Sequence, residues 1–244
     1  HHTGTYTHFV SADEEDKGTT YRQISQYQES IAQLEAAGFP SALTHASNSA
    51  ALLDVPDARF TMVRAGIAIY GYYPSAATSR RVPLVPALQL ISEVIRVHDI
   101  PAGAGVGYGH QFRADRPTKI ALVPIGYGDG LPRSLGHGRG RVIVRSQPAS
   151  IVGRVSMDQI TVDVTELEVV QPGDPVVLVG RQGAVEQDAE DVAGQAGTIS
   201  YDILTGLMPR VPRVYVERGA VMAVSTSQRP STKTIEAISP GTVR

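Results

Sequence analysis

The stretch Met62-Val63-Arg64-Ala65-Gly66-Ile67-Ala68-Ile69-Tyr70-Gly71 decides how the chain is read, because the pattern before it differs from the pattern after it. On its N-terminal side short apolar runs alternate with helical spacing. Thr5 to Val10 reads as a buried strand, and the acidic turn Asp13-Glu14-Glu15-Asp16 favours a helix N-terminus through the macrodipole. Ile24, Tyr27, Ile31 and Leu34 then recur at helical spacing until Gly38 and Pro40 stop the pattern. A short strand at Ala42 to His45, a short helix from Ser49 to Leu53 and the quoted run, read as a strand from Met62 to Tyr70, follow. Strand, helix, strand, helix, strand is the grammar of parallel β/α units.

Beyond Gly71 the grammar changes. The polar stretch Ser75 to Pro83, with Arg80-Arg81, is the natural linker. After it come short β-rich runs at Leu88 to Val97, Lys119 to Pro124, Arg141 to Val144, Ala149 to Val152, Gln159 to Val164 and Pro175 to Val179, punctuated by Gly, Pro and Asp. Such spacing predicts an all-β domain, sandwich or barrel. One short helix is expected after Asp188, through Val192 to Ala196, and the polar sequence beyond Glu217 reads as a tail that is loose at Ser225 to Ser231. The expected division is therefore 1–84, a β/α portion plus linker; 85–217, a β domain; and 218–244, a tail.

Composition narrows the function classes. Of 244 residues, 42% are hydrophobic and 19% charged, with 22 basic against 24 acidic side chains, which suits a globular chain and excludes a fibrous or disordered one. Near-neutral charge leaves no basic patch for phosphate backbones and points away from nucleic acid. With 0 cysteines, disulfides, thiolate metal sites and a cysteine nucleophile are excluded. No run approaches the length of about 18 apolar residues that a membrane span needs. The opening His1-His2-Thr3-Gly4-Thr5 has neither a signal peptide's regions nor an initiator Met, so the chain is expected to open partway through a longer protein.

Three polar groups fall near the ends of the expected parallel strands: His8, the run His45-Ala46-Ser47-Asn48-Ser49, and Arg64 with Gly66. Strand ends are where a β/α barrel assembles its active site. Ser49 opening a helix and a backbone-exposing Gly66 suit an anion, although Ser or Asn before a helix also serves simply as an N-cap. A lone His on a strand is more often a satisfied core residue. Arg64 is different, since a guanidinium within an apolar run must be paired. In the second part Gly105 to His110, Gly126 to Arg133 and Gly153 to Gln159 are dense in glycine, which tight β-turns also explain. These glycines open no long helix, which argues against a dinucleotide fingerprint, and His137 has no ligand partner at metal spacing.

Taken together these segments resemble the C-terminal part of the alanine racemase family. The resemblance runs from Thr5 to Glu217 and is carried by Tyr6-Thr7-His8-Phe9 with Ala12-Asp13-Glu14, His45 to Ala50, Val63 to Ile67 with Tyr70-Gly71, Val106 to Gly109, Ile125 to Arg133, Val152 to Gln159 and Ile199-Ser200-Tyr201-Asp202. It implies the last units of a (β/α)8 barrel followed by a β-barrel or sandwich domain, a pyridoxal 5'-phosphate cofactor, alanine as substrate, and a cytoplasmic head-to-tail homodimer with shared active sites that supplies D-alanine for peptidoglycan. It implies Tyr108 as one of two bases, with His8 and Arg64 shaping its environment, and Arg64 as donor to the pyridine nitrogen. Cofactor-phosphate binding is implied for Asn48, Ser49, Gly66, Ile67 and Tyr201. Met157, through its N–H, and Asp158 correspond to substrate-carboxylate positions, and Tyr127 to a residue narrowing the pocket.

The family carries its cofactor on a lysine in a V-K-A-x-A-Y-G-H type motif, and Lys17, Lys119 and Lys233 are not in that context. Since about 250 residues make a whole barrel, the stretch before Ser75 supplies only two or three units. The resemblance thus implies an N-terminal half that the chain lacks, and no racemisation by the 244 residues alone. Other readings are a broader amino-acid or serine racemase, a barrel decarboxylase using the same cofactor, and a non-catalytic dimerisation or binding module.

Overall fold

A computed structural model describes residues 2–226, and the chain divides into two compact units, one up to Leu88 and one from Gln89. In the first, β1 (Gly4–Tyr6) pairs in parallel with β2 (Leu43–His45), each followed by a helix, α1 (Gly18–Ala36) and α2 (Ser49–Asp54). Gly4 is required at the start of this pairing because a Cβ there would lie 2.6 Å from the Leu43 carbonyl oxygen. Ile24 and Tyr27 of α1 are buried with Phe9, Ala12, Ala46, Ala51 and Val55, and Ile31 packs on the edge of that cluster. The helical spacing is thus a core-facing stripe. The Tyr27 hydroxyl donates to the Thr5 carbonyl and accepts the His45 N–H, tying helix to both strands.

Two expected strands are shorter than their apolar patterns. Of Thr5 to Val10 only the start is in β1, because side chains take over the backbone beyond it. Gln23 binds the His8 carbonyl and the Val10 N–H, and Arg64 binds the Thr7 carbonyl. Met62 to Tyr70 makes a single parallel bridge, Met62 with His45, and then leaves the sheet for a 3-10 turn at Ile67–Tyr70. Ser49 Oγ captures the Gly66 and Ala68 N–H groups and starts that turn. Gly71 ends it at φ +86, where a Cβ would sit 1.8 Å from the Val85 carbonyl. The acidic turn also acts differently from expectation, since no acidic residue lies in the first turn of α1. Asp16 instead accepts the Gly18 N–H.

The second unit holds an eight-stranded antiparallel sheet in the order β12-β11-β8-β9-β10-β7-β4, with β3 also on β11. Its strands are β3 (Leu90–Glu93), β4 (Arg96–Ile100), β7 (Thr118–Val123), β8 (Arg141–Val144), β9 (Gln147–Val152), β10 (Ile160–Asp163), β11 (Pro175–Gln182) and β12 (Val185–Gln187). The small β5 (Gly105–Val106) and β6 (Phe112–Arg113) pair apart from it. The expected run Leu88 to Val97 splits in two because the backbone changes partner: β3 lies on β11, β4 on β7. In β10, Ile160 and Val162 are buried while Thr161 and Asp163 are half-buried, the period-two pattern of a sheet with one covered face. Val123, Val142, Ile151, Val164 and Leu178 complete the core.

Helix α3 (Ala189–Ala196) begins with a reciprocal Asp188 and Asp191 capping box, and α4 (Ser200–Gly206) follows it. The expected tail beyond residue 217 is corrected over its first residues. β13 (Arg213–Glu217) and β14 (Ala220–Ser225) form a hairpin whose two-residue turn, Arg218-Gly219, has both φ angles positive. That is the twist a two-residue hairpin needs. Residues 227–244 of the expected tail lie outside the described residues. No helix among the described residues is long and apolar enough to cross a membrane.

Candidate active site

In the first unit the candidate residues converge on two groups. Arg64, half-buried, donates from Nη1 to His45 Nδ1 at 2.6 Å, and from Nη2 to the carbonyls of Thr7 (2.9 Å) and Ala46 (3.1 Å) and to His8 Nδ1 (3.1 Å). A guanidinium has no acceptor, so both imidazoles present a lone pair at Nδ1. Tyr6 stacks on His45 at 5.4 Å and lies under the Arg64 cation at 5.6 Å. The arginine expected to need a partner is therefore held in one orientation by two histidines and two carbonyls, all at the ends of β1 and β2. Its Nε–H has no partner among the described residues and remains a fixed cationic donor.

The second group is built on Ser49, buried at the first turn of α2. Its Oγ accepts the Gly66 N–H at 2.9 Å and the Ala68 N–H at 3.2 Å. With both lone pairs used, the hydroxyl proton is left to donate outward. The Ile67 N–H next to it also has no partner among the described residues. Gly66 is exposed, and a Cβ there would meet only Ser49 Oγ, at 3.8 Å, so the approach is open. The expected direct role of the Gly66 N–H is thus modified, since Ser49 already holds it. Asn48 is the N-cap of α2, its side chain accepting the Ala51 N–H. These neutral, outward donors fit a phosphate dianion, and Arg64 Nε fits a neutral heterocyclic nitrogen.

In the second unit Tyr127, Met157 and Asp158 are brought together. The Tyr127 N–H donates to the Ser156 carbonyl at 3.0 Å, and the Gly128 N–H to the Met157 carbonyl at 2.8 Å. Arg133 lies over the Tyr127 ring at 5.5 Å. The Met157 N–H has no partner among the described residues, and its residue is exposed. Tyr108 stands on a separate loop, 72% exposed, between Gly107 at φ +71 and Gly109 at φ +69. Tyr201 lies in the first turn of α4.

Sequence reasoning missed Arg210 and Asp129 as parts of this group. Arg210 donates from Nε to Asp129 Oδ1 and from Nη2 to Asp158 Oδ1, both at 2.7 Å, and the two carboxylates raise its pKa above the ordinary guanidinium range. The hint available was Asp129 inside the Gly-Tyr-Gly-Asp-Gly string, where a carboxylate does more than turn chemistry asks. The pairing of His45 with Arg64 was equally hidden, because it joins residues 19 positions apart.

Comparison with known proteins follows the same division. Residues 1–74 match the family described as alanine racemase, N-terminal domain, and residues 87–215 that described as alanine racemase, C-terminal domain. The alanine racemase of Clostridium novyi (strain NT) is 39% identical over 223 residues, which are 91% of this chain and 57% of that protein. The structure of alanine racemase from Bacillus anthracis with bound L-Ala-P superposes with a TM-score of 0.87 at 36% identity, over 91% of this chain and 57% of that one. That of Bartonella henselae alanine racemase with covalently bound pyridoxal phosphate gives 0.74 at 32% identity, over 84% and 54%. The chain thus spans a little over half the length of the relatives it matches.

Proposed function

The chain belongs to the alanine racemase family, and from that premise we propose that the protein of which it forms part interconverts L- and D-alanine with pyridoxal phosphate. The observation that carries this reading is the Arg64 array, in which four acceptors hold the guanidinium and Nε is left to donate. When bound, the cofactor supplies an electron sink that acidifies the Cα–H of an amino acid. The residues of this chain do the rest.

The Ser49 hydroxyl, the Ile67 N–H and the Tyr201 hydroxyl donate to the phosphate, with Asn48 fixing the helix that carries Ser49 and Gly66 keeping the approach open. Arg64 Nε donates to the ring nitrogen without releasing its proton, which restrains charge delocalisation into the ring and favours return of a proton to Cα. Tyr108 Oη takes or returns the proton on one face of Cα. For that it needs cationic surroundings that favour phenolate, a part we assign to the Arg64 guanidinium, with His8 holding it in place through Nδ1. The second base is a lysine supplied from outside these 244 residues. Met157 N–H orients the substrate carboxylate, with Asp158 beside it engaged by Arg210, and Tyr127 keeps the pocket small, which discriminates by about 1 to 3 kcal/mol per methylene. The exposed Tyr108 supports a head-to-tail homodimer in which each subunit lends this residue to the other. A cytoplasmic supply of D-alanine for peptidoglycan completes the reading.

The test is assay of the full-length protein, loaded with pyridoxal phosphate, for conversion of L-alanine to D-alanine. Absence of D-alanine would refute the proposal. Tyr108→Phe should impair proton abstraction from one enantiomer selectively, seen as Cα-deuterium isotope effects that become unequal in the two directions. Unchanged effects would remove Tyr108 from the role. In the 244-residue chain mixed with the cofactor and reduced with borohydride, Lys17 and Lys119 should gain no label. Lys17 Nζ is already turned onto the Ala12 and Glu14 carbonyls and lies 3.8 Å from Asp54, and Lys119 lies within strand β7.

A further inference from the structure

Arg210 ties three stretches of backbone into one unit. Its Nε reaches Asp129 Oδ1 at 2.7 Å, and its Nη2 reaches Asp158 Oδ1 at 2.7 Å and the Met157 carbonyl at 3.3 Å. Asp129 in turn accepts the Gly126 N–H through Oδ2 at 2.8 Å, and its carbonyl accepts the Met208 N–H at 3.0 Å. Gly128 leaves room for this arrangement: a Cβ there would lie 2.6 Å from Arg210 Nη2. The fork therefore spans the turn that carries Tyr127 and the segment that presents the Met157 N–H. One planar group fixes the separation of the two.

We propose that Arg210 is a positioning residue that sets substrate size and carboxylate binding, by clamping the Gly126–Gly130 turn to Met157 and Asp158 so that Tyr127 and the Met157 N–H stand at a fixed spacing. This rests on the racemase reading of the same site. A carboxylate bound by the Met157 N–H is bound in ground and transition states alike, so loosening that N–H acts on KM and leaves kcat nearly unchanged. Loosening Tyr127 widens the pocket and admits a larger side chain. A lysine cannot replace the clamp, because a single ammonium lacks the fork that meets two carboxylates in a plane.

In the full-length protein loaded with pyridoxal phosphate, Arg210→Ala should raise KM for both alanine enantiomers about tenfold, the scale of one charge-assisted hydrogen bond. It should keep kcat within about threefold and raise the serine-to-alanine ratio of kcat/KM. Arg210→Lys should shift the same quantities in the same directions by a smaller factor. In the 244-residue chain, hydrogen exchange at the Tyr127 and Gly128 amides should quicken about tenfold in Arg210→Ala, with the β10 and β11 amides unchanged. KM, substrate ratio and exchange all as in wild type would overturn the clamp, as would a fall in kcat alone. If Arg210→Ala does not fold, Arg210→Lys decides, and wild-type values in that variant overturn the proposal. If the unaltered protein turns over no alanine, the racemase reading fails, while the exchange measurement still supports or overturns the clamp itself.

Discussion

The Ser49 hydroxyl shows how a single side chain serves both fold and site. By accepting the Gly66 and Ala68 N–H groups it turns a would-be strand into a 3-10 turn, and by keeping its proton it becomes a donor to an anion. Ser49→Ala leaves the Gly66 and Ala68 N–H groups without their acceptor, and because water can reach the exposed Gly66 the loss should be about 1 kcal/mol of stability in urea unfolding. In the full-length protein it should also weaken pyridoxal phosphate binding about tenfold, since a charge-assisted hydrogen bond is lost. Arg64→Lys tests the other group. One ammonium cannot meet His45, His8, Thr7 and Ala46 together, so binding of the cofactor should fall by at least tenfold in a titration followed by its absorbance. An unchanged affinity would count against Arg64 as the ring-nitrogen donor.

At the scale of elements, what local rules govern was legible. Strand β8 occupies Arg141–Val144 as the apolar run predicts, and α3 starts after Asp188, where a carboxylate caps the helix. Asp188→Ala removes the acceptor for the Glu190 and Asp191 N–H groups. It should lower stability by about 1 kcal/mol, read from the shift of the urea midpoint at constant slope. What was not legible depended on partners distant in sequence. The run Leu88 to Val97 has one continuous pattern, yet Val94 donates to the Asp174 carbonyl and Ile95 to that of Leu122, which divides it between two neighbours. The hairpin β13 and β14 was missed although Val214, Tyr215, Val216, Val221 and Val224 are strand-forming residues, because its two strands are short and largely exposed and do not stand out as a buried face. Its turn residues, Arg218 and Gly219, offered only a weak signal.

Across the whole molecule the two units differ in how far their sheets are paired. The first has two paired strands and one bridge, and the second an eight-stranded sheet with a continuous core. Isolated short pairings are marginal in water. Amides of β1 and β2 in the 244-residue chain should therefore exchange at least a hundredfold faster than those of β7, β10 and β11 in native-state hydrogen exchange. Equal protection would show the first unit to be self-sufficient. The sequence by itself determined the change of grammar after Gly71, the family, and the residue types able to hold a phosphate and a ring nitrogen, because periodicity and short motifs are local properties. Tertiary structure alone decided that His45 and His8 hold Arg64, that Ser49 occupies the Gly66 N–H, and that Arg210 fastens Tyr127 to Met157. Hydrogen bonds between residues tens of positions apart depend on where the backbone passes, and only packing of the folded chain sets that course.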